Sequence, residues 1–271
     1  MMHPIIIAAF GTTSRSRAVY EEVDRHLKAR FAGHDIHWAY TSRTIRHRLK
    51  KRDIETLDPA TVLARLADQG HPWAVVQSFN MICGHEFYRL VNDVQHPACR
   101  VSVGHSLLCS QEDHQAVVEA LAPVFARDES EAVVLVGHGT DHCAWTTYPA
   151  FSCRLRQIYG TRAFVGMIED GWPDRDVIIR RIVDAGFRRV RLMPFMLVAG
   201  VHFAEDLAGP EDSWKTALEA HGIQVALESE AMGSRGSIID IFATHIRGAL
   251  AVIPVAEARK ASNPIYMCDR R

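Results

Sequence analysis

Two histidines stand where apolar runs end. His138 follows Ala132-Val133-Val134-Leu135-Val136-Gly137 and precedes Gly139-Thr140, while His202 follows the run from Val190 to Leu197 and the turn Val198-Ala199-Gly200. A short, largely apolar run followed by a glycine-bearing turn reads as a buried parallel strand and its outgoing loop, so both imidazoles fall at a sheet's carboxyl edge, where open α/β folds bind ligands. A pair of imidazoles joined by a carboxylate suits a borderline divalent ion such as cobalt, iron, nickel or zinc better than magnesium or calcium. Imidazole also takes and gives a proton near neutral pH, so the groups that hold an ion could serve as bases. Taken singly, each residue is equally a loop histidine satisfied by a backbone carbonyl.

An internal repeat changes that balance. Pro4-Ile5-Ile6-Ile7-Ala8-Ala9-Phe10-Gly11-Thr12 aligns with Ala132-Val133-Val134-Leu135-Val136-Gly137-His138-Gly139-Thr140 when the strand ends are matched, placing Phe10 opposite His138. Ser78-Phe79-Asn80-Met81-Ile82-Cys83-Gly84-His85-Glu86-Phe87 aligns with Pro194-Phe195-Met196-Leu197-Val198-Ala199-Gly200-Val201-His202-Phe203, placing Glu86 opposite His202. Two half-chains with equivalent strand ends would face one another across a cleft. Two carboxylates compete for the third position: Glu86 from the facing half, and Glu169, after the run Ala163 to Ile168, from the same half as both histidines. Spacing does not rank them, and each alone also reads as a helix N-terminal acid or, for Glu169-Asp170, a solvated turn. A basic run from Arg43 to Arg52 holds Arg43, Arg46, Arg48, Lys50, Lys51 and Arg52. It is either a solvated helix face or a rim for a ligand with several carboxylates, which guanidinium groups bind in bidentate fashion.

The elements that must position these residues alternate between short β-branched runs and longer amphipathic stretches, the pattern of βαβ units and parallel sheets. Strands are expected near 4–10, 35–41, 73–79 and 99–104, and again near 132–137, 162–168, 188–194 and 223–228. Helices are expected near 15–31, 59–69, 85–93, 112–127, 145–159, 174–185, 205–221 and 234–252, the last with Ile238, Ile239, Phe242, Ile246 and Leu250 on one face. The fold class is therefore α/β: two similar domains, 1–128 and 129–271, each a parallel sheet flanked by helices and related by a pseudo-two-fold across the cleft. The tail from Pro254 to Arg271 is mixed in composition and gives no preference between order and fraying.

At 271 residues the chain is long enough for two such cores, and 31 Lys and Arg against 32 Asp and Glu give no global argument for nucleic acid or an anionic membrane. No apolar stretch approaches ~18 residues and the start lacks the features of a signal peptide, so a cytoplasmic protein is expected. The six cysteines contain no Cys-x-x-Cys pair, so neither a structural zinc site nor a disulfide framework is expected.

Together, Ile7 to Thr13, Asn80 to Glu86, Gly137 to Thr140, Ile168 to Pro173 and Pro194 to His202 resemble the class II tetrapyrrole chelatases, most closely the anaerobic sirohydrochlorin cobaltochelatases of cobalamin biosynthesis. The resemblance covers essentially the whole chain. It implies a tetrapyrrole held between two α/β domains, with His138 and His202 matching metal-binding histidines and Glu86 and Glu169 matching acidic positions of the active site. On that footing His138, Glu169 and His202 would hold the metal, His138 and Glu86 would move pyrrole protons, and Phe10, Gly11, Thr12, Arg43 and Arg46 would hold the ring and its carboxylates. The metal is a substrate, Co2+ with Fe2+ as the alternative, and no organic cofactor is implied. The expected partner is sirohydrochlorin, with neither nucleic acid nor membrane; a homo-oligomer is compatible with the sequence. Two rivals share these residues: a sirohydrochlorin ferrochelatase, and a non-catalytic carrier of metal or tetrapyrrole.

Overall fold

The computed structural model describes residues 2–169 and 171–254; Asp170 and the tail beyond Pro254 lie outside the described residues. Among the described residues eight strands form two four-stranded sheets. The first contains β1 (Ile5–Ala9), β2 (Ile36–Tyr40), β3 (Trp73–Phe79) and β4 (Arg100–Gly104) in the order β2-β1-β3-β4. The second contains β5 (Ala132–Gly137), β6 (Ala163–Met167), β7 (Arg189–Pro194) and β8 (Gln224–Leu227) in the order β6-β5-β7-β8. All pairings are parallel. The central strands β1 and β5 are buried at every position, which is why they read as unbroken apolar runs rather than alternating ones.

The repeat holds down to single backbone bonds. Thr41 N–H donates to the Ala9 carbonyl and Ser42 N–H to that of Phe10; Ile168 N–H donates to Gly137 and Glu169 N–H to His138. Gly11 and Gly139, at equivalent positions, have φ of 95° and 93°, a left-handed conformation that glycine adopts without penalty.

Helices α1 (Ala18–Arg30), α2 (Arg43–Lys50), α3 (Pro59–Asp68), α4 (His85–Asp93) and α5 (Gln111–Phe125) flank the first sheet, and α6 (Thr147–Tyr159) and α7 (Arg175–Asp184) the second. Caps fix several starts: Asp58 with Pro59 opens α3, Ser110 and Asp113 form a reciprocal box at α5, and Asp174 caps α7. The basic run is itself a helix, α2, capped by Ser42 and anchored by buried Leu49. The expected helix over 205–221 is instead a short turn α8 (Gly200–His202), a π-type turn over Phe203–Leu207, and α9 (Trp214–Glu219). Gly209-Pro210 breaks it. A Cβ at Gly209 would lie 2.2 Å from the Glu205 carbonyl oxygen, and Ser213 and Thr216 cap a fresh start. Among the described residues no helix is long and apolar enough to cross a membrane.

The last helix, α10 (Gly236–Ala251), follows the second half in sequence but packs on the first sheet, against β3, β4, α1 and α5. Phe242 meets Phe79 at 4.8 Å between ring centroids, and Ile238, Ile239 and Ile246 are fully buried. By packing, the first layer therefore takes a helix from the segment expected to belong to the second domain. The chain crosses between halves twice, and Arg127 at the first crossing pairs with Glu228 at the second.

His245 of α10 bonds Asp113 of α5 at 2.8 Å, while Asp113 also accepts the backbone N–H of Cys109 and Ser110. Burial alone would raise the Asp113 pKa, but the bonds from His245 and Ser110 outweigh it and hold the carboxyl below its usual value. A depressed carboxyl stabilises the fold above its unfolded pKa of ~3.9 and loses that contribution as pH falls through the folded value. Asp113→Asn is expected to cost about 1–3 kcal/mol at neutral pH, with the deficit shrinking below about pH 4. Urea unfolding at a series of pH values measures it; a deficit independent of pH would refute the charge assignment.

Candidate active site

The loops leaving β5, β6 and β7 bring three of the proposed residues together. His138 lies directly beyond β5, and its Nδ1 is 3.7 Å from Glu169 Oε2. The His138 and His202 rings lie 4.8 Å apart between centroids and nearly perpendicular, at 87°. Glu169 and His138 keep 59% and 45% of their side chains exposed, so an incoming ion can reach them from solvent. His202 Nδ1 is 2.8 Å from Asp206 Oδ2. Donation from Nδ1 to that carboxylate leaves Nε2 with the lone pair, the usual arrangement behind a metal-binding imidazole.

Beside the histidines lies a depression of about 500 Å3 lined by Glu169, Asp174, Asp176, Asp206 and Asp212 and by one cation, Arg175, which pairs with Asp212, so acidic groups remain in excess. Negative charge gathered there favours a cation over an anion.

The facing wall comes from the first half. Glu86 sits in the first turn of α4, and its carboxylate accepts hydrogen bonds from Thr41 Oγ1 and Arg89 Nη1, each at 2.9 Å. One residue earlier, His85 bonds Asp141 at 2.8 Å and its ring lies 4.8 Å from that of His142. The first turn of α4, which carries Glu86, is thus joined to the loop that begins at His138. The walls also meet at Gly200, where a Cβ would lie 2.3 Å from Ser14 Oγ.

Phe10 is 48% exposed, an apolar surface at the end of β1. At Gly11 beneath it a Cβ would press on Ile45 at 3.0 Å and Tyr40 at 3.3 Å, and the φ of 95° already favours glycine. Thr12 Oγ1 bonds Ser14 Oγ at 2.9 Å, shaping the same loop. Of the two arginines, Arg43 is exposed at the start of α2, whereas Arg46 turns inward, donating to the Tyr40 and Thr41 carbonyls and lying 3.6 Å from Asp58. Arg52 donates to the Thr13 carbonyl at 2.8 Å. Part of the basic run therefore braces the loops around the cleft.

Three supporting groups escaped the sequence reading: Thr41, Asp141 and the partnership of Asp206 with His202. The i, i+4 spacing of His202 and Asp206 was a usable signal, because such residues are neighbours on a helical surface; Thr41 and Asp141 carry no comparable mark.

Comparison with known proteins agrees with this architecture. The family model described as cobalt chelatase (CbiK) matches residues 3–251. The sirohydrochlorin cobaltochelatase of Salmonella typhimurium (strain LT2) is 33% identical over 260 residues, spanning 92% of this chain and 97% of that protein. The sirohydrochlorin cobaltochelatase CbiKC of Nitratidesulfovibrio vulgaris (strain Hildenborough) is 30% identical over 260 residues, covering 92% and 91%. Among solved structures, SirB from Bacillus subtilis with Fe3+ superposes with a TM-score of 0.68 at 16% identity, covering 93% of this chain and 96% of that one, a likeness of fold. With a family match running from before β1 to the end of α10, and relatives matched over nearly their whole length, the chain belongs to the cobalt chelatase (CbiK) family.

Proposed function

We propose that this protein inserts Co2+ into sirohydrochlorin, with His138, His202 and Glu169 as the metal-presenting wall and Glu86 on the facing wall. The observation that carries the reading is the pair of perpendicular imidazoles 4.8 Å apart with a carboxylate 3.7 Å from one of them, in a chain of the cobalt chelatase family. Insertion requires the ion to shed water, to be held over the ring, and to replace two pyrrole protons. Three protein ligands leave positions for the ring nitrogens to fill as water departs, the property that separates catalytic from structural sites. A histidine released from the ion accepts one proton. The Glu86 carboxylate, held by Thr41 and Arg89, receives the other. Phe10 offers the ring an apolar face, the loop at Gly11 and Thr12 shapes its seat, exposed Arg43 meets a ring carboxylate, and Arg46 keeps the end of β2 in place.

The ligand set accepts iron as readily as cobalt by donor type. Cobalt is favoured here by the two cobaltochelatases that this chain matches over 92% of its length. An anaerobic absorbance time course with catalytic protein, excess sirohydrochlorin and either Co2+ or Fe2+ tests the proposal. Many turnovers per protein, faster with Co2+, support it. Faster turnover with Fe2+ would make the protein a ferrochelatase, and stoichiometric binding that stops at one equivalent would make it a carrier.

Asp206 orients His202 without itself being proposed as a ligand. Asp206→Asn is expected to lower kcat/KM for Co2+ about 10- to 100-fold, the usual effect of losing a group behind a metal-binding imidazole. A variant as active as the wild type would remove Asp206 from the site.

A further inference from the structure

Cys83, His105 and Cys109 have no metal-binding spacing in sequence, yet the first sheet's topology gathers them. Strands β3 and β4 are neighbours, so the loops leaving their carboxyl ends run side by side. Leu107 N–H donates to the Asn80 carbonyl and Leu108 N–H to that of Met81, both at 2.9 Å. These bonds lace the two loops together, with Leu107 and Leu108 buried beneath them. As a result Cys83 Sγ lies 3.9 Å from Cys109 Sγ, and one donor atom from each of Cys83, His105 and Cys109 lies within 4.8 Å of the others.

The separation discriminates between two uses of the thiols. A disulfide needs about 2.05 Å between sulfurs, and 3.9 Å is nearly twice that. A tetrahedral ion with bonds of about 2.3 Å to sulfur and about 2.0–2.1 Å to nitrogen places its ligand atoms roughly 3.5–3.8 Å apart. The two sulfurs, 3.9 Å apart, need only a slight contraction to reach that geometry, and the imidazole, whose donor lies within 4.8 Å of them, closes on the ion by a shift of about 1 Å or less.

The surroundings hold the donors in place. The His105 carbonyl accepts from Gln77 Nε2 at 2.7 Å and His245 Nδ1 at 3.1 Å, and its ring lies nearly parallel to Phe87 at 6.4 Å between centroids. Cys109 N–H is bonded to Asp113, which His245 holds in turn. Cys109 and His105 are exposed and Cys83 is half-buried, so an ion can enter from solvent. Thiolate and imidazole donors select zinc-like ions over magnesium or calcium.

We propose that Cys83, His105 and Cys109 form a second metal site, which takes a divalent ion of the zinc or cobalt class through two thiolates and one imidazole and leaves the fourth position to solvent. It differs from the cleft site in having sulfur ligands and is independent of the chelatase reading. It also lies just before α4, whose first turn carries Glu86, three residues after Cys83.

Co2+ alone is the probe, titrated into the reduced, full-length protein under anaerobic conditions. Thiolate ligands give cobalt an intense near-ultraviolet charge-transfer band that histidine and carboxylate do not, so the cleft site is silent in this readout. The expected result is a band whose final intensity corresponds to one thiolate-bound ion per chain, the same in the wild type, in His138→Ala and in a Cys143→Ser/Cys153→Ser double variant, whatever cobalt the silent cleft site also takes up. It should be absent in Cys83→Ser and Cys109→Ser, and at least ~10-fold weaker in affinity in His105→Ala. Wild-type protein alkylated with and without Zn2+ gives a second readout free of variants: the ion should shield Cys83 and Cys109 but not Cys153. A wild type without the band, a band surviving Cys83→Ser in folded protein, or no shielding of Cys83 and Cys109 would each overturn the site.

Discussion

His138→Ala is expected to abolish measurable cobalt insertion, lowering kcat/KM by roughly 100- to 10,000-fold, the range for removing a positioned proton-transfer group. Two losses add up in one residue, because His138 is the group that lies against both Glu169 and His202. Without it the wall retains a single imidazole and a carboxylate with no imidazole at 3.7 Å. The substitution should leave the fold intact. The side chain is 45% exposed, so its removal opens no core cavity, and surface changes of this kind fall within about 0.5 kcal/mol. Initial rates measured beside a urea unfolding curve test both halves of the expectation. Turnover within about threefold of wild type would exclude His138 from the chemistry, whereas a shifted unfolding midpoint would make the lost activity a matter of folding.

The largest expected effect on stability lies one strand away. Gly166 sits within β6, paired with Val136 of β5, and the Trp214 ring occupies the space its side chain would need: a Cβ there would be 2.3 Å from Trp214 Cη2 and 2.6 Å from Cζ2. The indole cannot easily withdraw. Trp214 is 2% exposed and starts α9, whose cap Ser213 is bonded both to Thr216 and to the Gly209 carbonyl. Gly166→Val should therefore cost about 3 kcal/mol, the upper part of the usual range for overpacking, lowering Tm by about 6–12 °C. Trp214→Phe removes the atoms that clash and should recover part of the loss, so the double variant will be more stable than the sum of the singles predicts. Thermal unfolding of the four proteins decides it; strict additivity would show that the indole is not the obstacle.

Much of this architecture was legible because the chain repeats. Buried parallel strands leave largely apolar runs, and matching the ends of these runs aligns Phe10 with His138 and Glu86 with His202 from sequence alone. The equivalent backbone bonds and the left-handed glycines at 11 and 139 bear out that alignment. What stayed hidden depended on neighbours that sequence does not display. Arg46 reads as one cation in a basic run, and its inward turn follows from where β2 ends. The split of the expected 205–221 helix is marked in the sequence by Gly209-Pro210, a pair that cannot continue a helix. An amphipathic helix announces that one face is covered without saying by which sheet, so α10 could not be assigned to the first layer from its periodicity. Cys83, His105 and Cys109 come together only because β3 and β4 are adjacent.

The placement of α10 has a consequence for how the protein is made. A ribosome delivers the chain from its amino end, and the first sheet is complete in sequence once β4 and α5 have emerged, at Phe125. Its covering helix ends at Ala251, some 125 residues later. At about 5–20 residues per second that is a wait of roughly 6–25 seconds, during which the face destined for Ile238, Phe242 and Ile246 has no partner. The newborn first half is thus an incomplete body with an open apolar flank, a natural client for chaperones, and its maturation is timed by the synthesis of the second half.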